Sequence, residues 1–256
     1  MKLSSYILTR NSERYLSEIL ERLSRVADEV VIVDSGSTDA TLDIAARYPL
    51  VHVEQRDFDN FRAQRDYAAS VCSHNAVFYV DSDELPDDEL LDSLRQVKEQ
   101  YNELSTTAFS ITRDWYILGK PVHAIYPIVS PDHDIRLFDR RYASFGSGSS
   151  LVHETLSGYS QRLPLAGRLM HRTFHSKEEM RHKVDHYTDL SAQDLLRKKG
   201  NISRLKALVD PPAAFIKWYL LKRSFLDGRV GLTCGLYAYR YTKLRYRKAL
   251  RLQHQR

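Results

Sequence analysis

The chain has 256 residues, of which 43% are hydrophobic and 28% charged, a length and balance that fit one large domain or one domain with an appendage and exclude a mainly disordered chain. The net charge of +5 conceals an asymmetry: residues 1–100 carry 11 Lys/Arg and 20 Asp/Glu, residues 101–196 carry 11 of each, and residues 197–256 carry 16 Lys/Arg and 2 Asp/Glu. Two distant cysteines, Cys72 and Cys234, exclude a disulfide scaffold, and no apolar run approaches the roughly 18–20 residues of a membrane span.

Residues 3–9 read as a short buried strand. Asn11 or Ser12 can cap a helix over about 12–26, with Leu16, Ile19, Leu20 and Leu23 on one face. Residues 29–34, nearly continuous in branched side chains, suit a central parallel strand buried on both faces. Ser35-Gly36-Ser37 breaks that strand, and Thr38 or Asp39 starts a short helix. A third strand at 51–54, a helix at 60–71 and a fourth strand at 76–81 follow. Pro86 then opens a helix through about Glu99, at the first-turn position proline favours. Four strand–helix alternations in 100 residues predict an open α/β sheet of the doubly wound kind.

Residues 106–171 change character. Ala108–Arg113, Asp134–Phe138, Leu151–Thr155 and Arg162–Met170 read as added, partly antiparallel strands, and 145–150 as a loop. From Ser176 the pattern is helical, with breaks predicted at Gly200, Pro211-Pro212 and Gly228.

In open α/β sheets, ligands bind beyond the carboxyl ends of the strands. Three such ends carry polar groups: Thr9-Arg10-Asn11, Asp34 through Asp39, and Asp81-Ser82-Asp83-Glu84. Asp81 and Asp83 repel each other unless a cation intervenes. A hard divalent ion, Mg²⁺ or Mn²⁺, takes oxygen ligands of this kind and is often completed by substrate phosphates. The plainer reading is a strand end running into an acidic helix start, which Asp87, Asp88 and Glu89 fit. Neither G-x-G-x-x-G nor G-x-x-x-x-G-K-[ST] occurs, which excludes the dinucleotide fingerprint and the P-loop.

Taken together, Ile7–Asn11, Asp28–Thr41 and Val80–Glu84 resemble the family 2 glycosyltransferases, whose nucleotide-sugar-binding fold is called GT-A. Phe61–Ala68, Val152–Glu154, Leu169–His171 and Phe225–Gly228 are most similar to the lipopolysaccharide-core β-glucosyltransferase branch. The resemblance implies a GT-A type, mostly parallel sheet flanked by helices over residues 1–175, and a basic helical extension over 176–256. It implies an inverting transfer of a sugar from a nucleotide sugar, UDP-glucose or similar, to a cell-envelope glycan or glycolipid acceptor such as lipopolysaccharide core. Thr9, Arg10, Asp34, Arg65, Asp81 and Ser82 would then meet the donor, with Asp34 on uracil or ribose and Asp81 towards the ribose. Asp83 would reach the metal, His171 would be a further metal or pyrophosphate contact, and Glu154 would be the base. Asp66 departs from the branch, which usually has Asn there.

The chemistry is coherent on the residues themselves: inversion needs a base for the acceptor proton and a Lewis acid for the departing diphosphate. Trp115 could stack on an acceptor sugar or pack in a core, and Arg136 could meet acceptor or phosphate or pair with Asp134.

The basic tail, with Tyr237, Tyr239, Tyr241 and Tyr246 among its cations, suits an anionic membrane surface. A solvated basic face and a self-association contact are the alternatives, so an oligomer stays open. No nucleic-acid-reading module is present, and no nucleic-acid partner is expected. The N-terminal apolar run is too short for a secretion signal, so the expected location is cytoplasmic, at most peripheral on the inner face of the cell membrane. A nucleotidyltransferase and a non-catalytic basic adaptor are the competing readings.

Overall fold

The computed structural model describes residues 1–146 and 155–255. Within them the chain forms two compact units. Residues 1–113 and 133–171 make the first, and residues 114–132 and 172–256 the second.

The first unit opens with β1 (Leu3–Thr9), α1 (Glu13–Leu23), β2 (Glu29–Asp34), α2 (Thr41–Ala45), β3 (Val51–Gln55), α3 (Phe61–Val71) and β4 (Ala76–Asp81). These match the expected order and nearly the expected bounds. β1 pairs in parallel with both β2 and β4, and β2 in parallel with β3. Every residue of β2 is buried, as a Val/Ile run covered on both faces requires. Leu16, Ile19, Leu20 and Leu23 of α1 are all buried in the main hydrophobic cluster with Ile7, Ile32 and Phe78.

Next come β5 (Glu84–Pro86), α4 (Asp88–Gln100) and β6 (Thr107–Ile117). The expectation that Pro86 opens a helix is corrected. Pro86 ends β5, which pairs antiparallel with a later strand, and Asp87 caps α4 by accepting the Leu90 N–H at 2.8 Å. The cap therefore sits one residue beyond the proline, and Asp87 also accepts the Arg168 N–H at 3.0 Å. Three two-residue strands follow, β7 (Lys120–Pro121), β8 (Ala124–Ile125) and β9 (Ile128–Val129), and then β10 (Asp132–Asp139) and β11 (Gln161–Thr173), which belong to the first unit over residues 133–139 and 161–171.

Among the described residues the main sheet runs β3-β2-β1-β4-β10-β6-β11-β5, with β7 beside β6. The half β3-β2-β1-β4 is parallel, whereas β10 is antiparallel to β4, β11 antiparallel to β5 and β7 antiparallel to β6. The expected strand at 151–155 lies almost wholly outside the described residues, as does most of the 145–150 loop.

The second unit is helical. α5 (Lys177–Lys199) is capped by Ser176, which accepts the Glu179 N–H, and ends at Gly200. α6 (Arg204–Ile216) passes through Pro211 and Pro212 without ending, then continues as one π-helical turn, Lys217–Leu221. The predicted break is thus overturned. Pro211 is buried while α6 packs along the last helix, so tertiary packing outweighs the missing N–H. A short 3₁₀ turn, Ser224–Asp227, leads into α7 (Gly228–His254). Cys72 and Cys234 are both buried and unbridged.

Candidate active site

Chain order on the sheet reverses between β1 and β4: the chain steps outward to β2 and β3 and returns on the other side of β1. Ligands of doubly wound sheets bind at such a point. Register brings the polar strand ends together there, with Thr9 opposite Asp34 and Leu8 opposite Asp81.

Asp34 is 1% exposed. Its Oδ1 accepts the Thr9 hydroxyl at 2.8 Å and the Ser37 hydroxyl, and its Oδ2 accepts the N–H groups of Gly36 at 3.1 Å and Ser37 at 2.9 Å. Burial pushes its pKa up, but these hydrogen bonds outweigh it and hold the carboxyl below its ordinary value. Asp34 therefore shapes the 35–38 turn, and it reaches a nucleoside only by giving up one of the hydroxyl donors. Gln64, also buried, donates to the Ser35 hydroxyl at 2.9 Å and to the Arg56 carbonyl at 3.2 Å, tying that turn to the segment after β3. Arg10 and Ser82 lie beside these turns, Arg10 exposed and Ser82 half-buried.

The acidic turn after β4 is held by a buried ionic cluster. Asp81 Oδ1 accepts Arg65 Nη2 at 2.8 Å, and its Oδ2 lies 3.5 Å from Arg136 Nη2. Both guanidinium groups lie against the Tyr79 ring, at 4.7 and 4.5 Å from its centroid. Glu84 is fully buried: Oε1 accepts Arg136 Nη2 at 2.6 Å, Arg113 Nη1 at 3.2 Å and His171 Nδ1 at 3.0 Å. Its Oε2 accepts the Asp81 backbone N–H at 3.0 Å, closing the turn. Burial disfavours ionised Glu84, yet Arg136, His171 and Arg113 outweigh that and hold its pKa well below the usual carboxylate range. Asp81 is lowered likewise, by Arg65 and Arg136 against burial.

His171 sits on β11 opposite Glu84 of β5. Burial lowers its pKa, but Asp83, Glu84 and Asp81 outweigh that and raise it. With Nδ1 turned to Glu84, Nε2 lies 3.5 Å from Asp83 Oδ2. Among the described residues no group of three or more His, Cys, Asp or Glu side chains forms a metal cage. Asp83 and His171 instead offer one carboxylate oxygen and one imidazole nitrogen side by side. That donor set fits a Mg²⁺ or Mn²⁺ ion whose other positions are filled by water and phosphate oxygens.

The other predicted residues fall differently. Arg136 is 1% exposed, with its charge committed to Glu84 and Asp81 rather than offered to an acceptor, and Asp134 is only a 3.7 Å secondary partner. Trp115 belongs to the second unit, where it packs against the cluster around Ile117 and Val122. Asp66 accepts the Phe145 N–H at 2.8 Å, a structural task for the residue that departs from the branch pattern. Glu154 lies outside the described residues. Glu84, Arg113 and Gln64 carry much of this arrangement, although the sequence assigns none of them a role of its own. Glu84 reads in the sequence only as one more member of the acidic cluster after β4, and its side-chain partners Arg113, Arg136 and His171 lie 29, 52 and 87 residues away.

Comparison with known proteins agrees with the geometry. Residues 4–160 match the family model for glycosyl transferase family 2. An uncharacterized glycosyltransferase of Rickettsia typhi is 24% identical over 235 residues, covering 89% of this chain and 79% of that protein. The lipopolysaccharide core biosynthesis glycosyltransferase LpsC of Rhizobium meliloti is 27% identical over 250 residues, covering 93% and 90%. Among solved structures, Staphylococcus aureus TarS 1–349 in complex with UDP-GlcNAc aligns with a TM-score of 0.51 at 18% identity, covering 97% of this chain and 92% of that one. The expected fold class, a GT-A type sheet flanked by helices with a C-terminal helical extension, is the one found. A parallel half-sheet with a topological switch point, an acidic turn at the end of β4 and a family match over residues 4–160 lead to one conclusion: the chain belongs to glycosyl transferase family 2.

Proposed function

We propose that the protein is an inverting, metal-assisted glycosyltransferase that takes a UDP-sugar, glucose or a close relative, and glycosylates a cell-envelope glycan or lipid-linked saccharide of the lipopolysaccharide-core type. The observation that carries the reading is the Asp83–His171 pair, poised at 3.5 Å beside the switch point of the sheet. LpsC, named for lipopolysaccharide core biosynthesis, supports the acceptor class, and the UDP-GlcNAc complex of TarS supports a uridine donor.

In this reading the turn held by Thr9, Asp34 and Ser37 receives the nucleoside, and Arg10, Arg65 and Ser82 border the phosphates. Asp83 and His171 hold the divalent ion. When bound, that ion supplies Lewis-acid neutralisation of the diphosphate charge. Glu154 takes the proton of the acceptor hydroxyl as its oxygen bonds to the anomeric carbon. The bond from that carbon to the diphosphate oxygen breaks, and UDP leaves with the electron pair. Attack from the face opposite the leaving group inverts the configuration. Arg136 acts through Glu84 and Asp81.

The test is UDP release from UDP-glucose with Mn²⁺ and a core oligosaccharide, comparing the natural chain with Asp83→Ala and Glu154→Gln. Each variant should lose on the order of 100-fold or more, the scale on which a Lewis acid or a general base contributes. Full activity in Asp83→Ala, with folding intact, would remove the metal role.

A further inference from the structure

One helix of the second unit carries its apolar residues on the outside. α6 and its π-helical turn place Leu205, Leu208, Val209, Ile216 and Leu220 at helical spacing along one stripe. All five are exposed, with Leu208 at 75%. The opposite side carries Pro211 and Trp218 inward, both buried. On α7, Leu232 and Leu236 are exposed one turn apart. Single exposed leucines are ordinary, but a contiguous stripe of them marks an interaction surface.

The charges around the stripe are of one sign. Arg204, Lys206, Lys217, Arg223 and Arg229 are exposed along the same segment. The two acidic residues of 197–256 are both committed inside the unit: Asp210 accepts the Tyr246 hydroxyl, and Asp227 accepts the His123 N–H at 2.8 Å. Tyr237 and Tyr246, expected to lie at a headgroup level, are instead buried in the unit's own clusters. No helix among the described residues is long and apolar enough to cross a membrane.

We propose that the α6 stripe is an interfacial docking face for an anionic lipid leaflet. Its leucines enter the headgroup–acyl boundary, and the flanking Lys and Arg side chains reach lipid phosphates. Nucleic acid would satisfy the cations and leave the leucines in water. A second copy of the chain would cover the leucines and set two cationic rims against each other. An anionic bilayer satisfies both. Such docking presupposes a membrane-borne acceptor, the reading given above, yet vesicle binding is measurable without turnover.

The full chain is co-sedimented with vesicles of phosphatidylethanolamine and phosphatidylglycerol, and with phosphatidylcholine vesicles as the neutral control. The variant is Leu208→Gln, Ile216→Gln and Leu220→Gln together, which changes only exposed side chains and no charge. Its helicity is followed by circular dichroism and its UDP binding by calorimetry. The natural chain should bind the anionic vesicles and keep part of that binding in high salt. The variant should bind them more weakly by at least about tenfold, the effect of withdrawing even one leucine from apolar contact, with helicity and UDP binding unchanged. Equal binding by the variant would overturn the proposal in favour of a purely electrostatic surface. No vesicle binding by the natural chain would overturn it too, as would a natural-chain dimer that the variant turns into a monomer. Loss of UDP binding in both proteins would instead count against the donor reading and leave the vesicle result standing.

Discussion

Glu84 organises the site although it is fully buried and takes no place on its surface. One carboxylate receives Arg136, Arg113, His171 and the Asp81 N–H. A buried pair of this kind adds little net stability as a whole, but removing one member leaves an uncompensated charge. Arg136→Met should therefore cost about 3–5 kcal/mol in urea unfolding, and a change within error would show that the cluster is more hydrated than its burial implies. Glu84→Gln tests positioning separately. Glu84 fixes which His171 nitrogen turns to Asp83, and loss of such an outer partner typically weakens a metal site about 10–100-fold. Mn²⁺ titration of the UDP-saturated protein should show that loss, and unchanged affinity would make Glu84 purely structural. Asp81 and Asp83 stand out in the sequence because their spacing is local. Glu84 does not, because Arg113 and Arg136 lie 29 and 52 residues away and nothing in the sequence couples them.

At the scale of elements, the first four strands were legible because each is a short segment that alternates with a helical pattern, and β2 is in addition nearly continuous in branched side chains. Pro86 and Pro211 misled for the same reason: local preference was overruled by a long-range partner, β11 for Pro86 and α7 for Pro211. β11 also explains Gly167. Its φ is +87°, and a Cβ there would lie 2.1 Å from the Leu90 backbone nitrogen at the start of α4. Gly167→Ala should cost more than about 2 kcal/mol, combining left-handed strain with a backbone collision, and near-neutral stability would mean that α4 can draw back. The strand starts carry a pH signature. Leu3 N–H and Lys98 hold Asp28, while the hydroxyls of Ser4 and Ser73 and the Ser73 N–H hold Glu29. Burial pushes both carboxyls up, but these partners prevail and both pKa values are lowered on folding. Their stabilisation is fully present above the unfolded carboxylate range and is lost as pH falls through the depressed folded values. Unfolding free energy should thus decline below about pH 4, and less steeply in Glu29→Gln. An identical acid slope in that variant would assign the decline to other groups.

For the whole molecule, the sequence's charge asymmetry maps onto structure. The acidic first 100 residues build the parallel half-sheet with its switch point, and the cationic last 60 build most of the second, helical unit. The division of the chain was less legible. Residues 114–132 belong with the helices, and no local feature of 114–132 announces that long-range packing. The central claim is that the first unit binds a uridine diphosphate through a divalent ion at Asp83 and His171. Calorimetric titration of UDP with Mn²⁺, repeated in excess chelator and with GDP and dTDP, tests it most directly. The account predicts UDP binding that chelator abolishes or strongly weakens, that Asp83→Ala loses, and that GDP does not reproduce. Absence of binding by every nucleotide, with and without Mn²⁺, would contradict it and return the protein to the reading of a basic, non-catalytic adaptor.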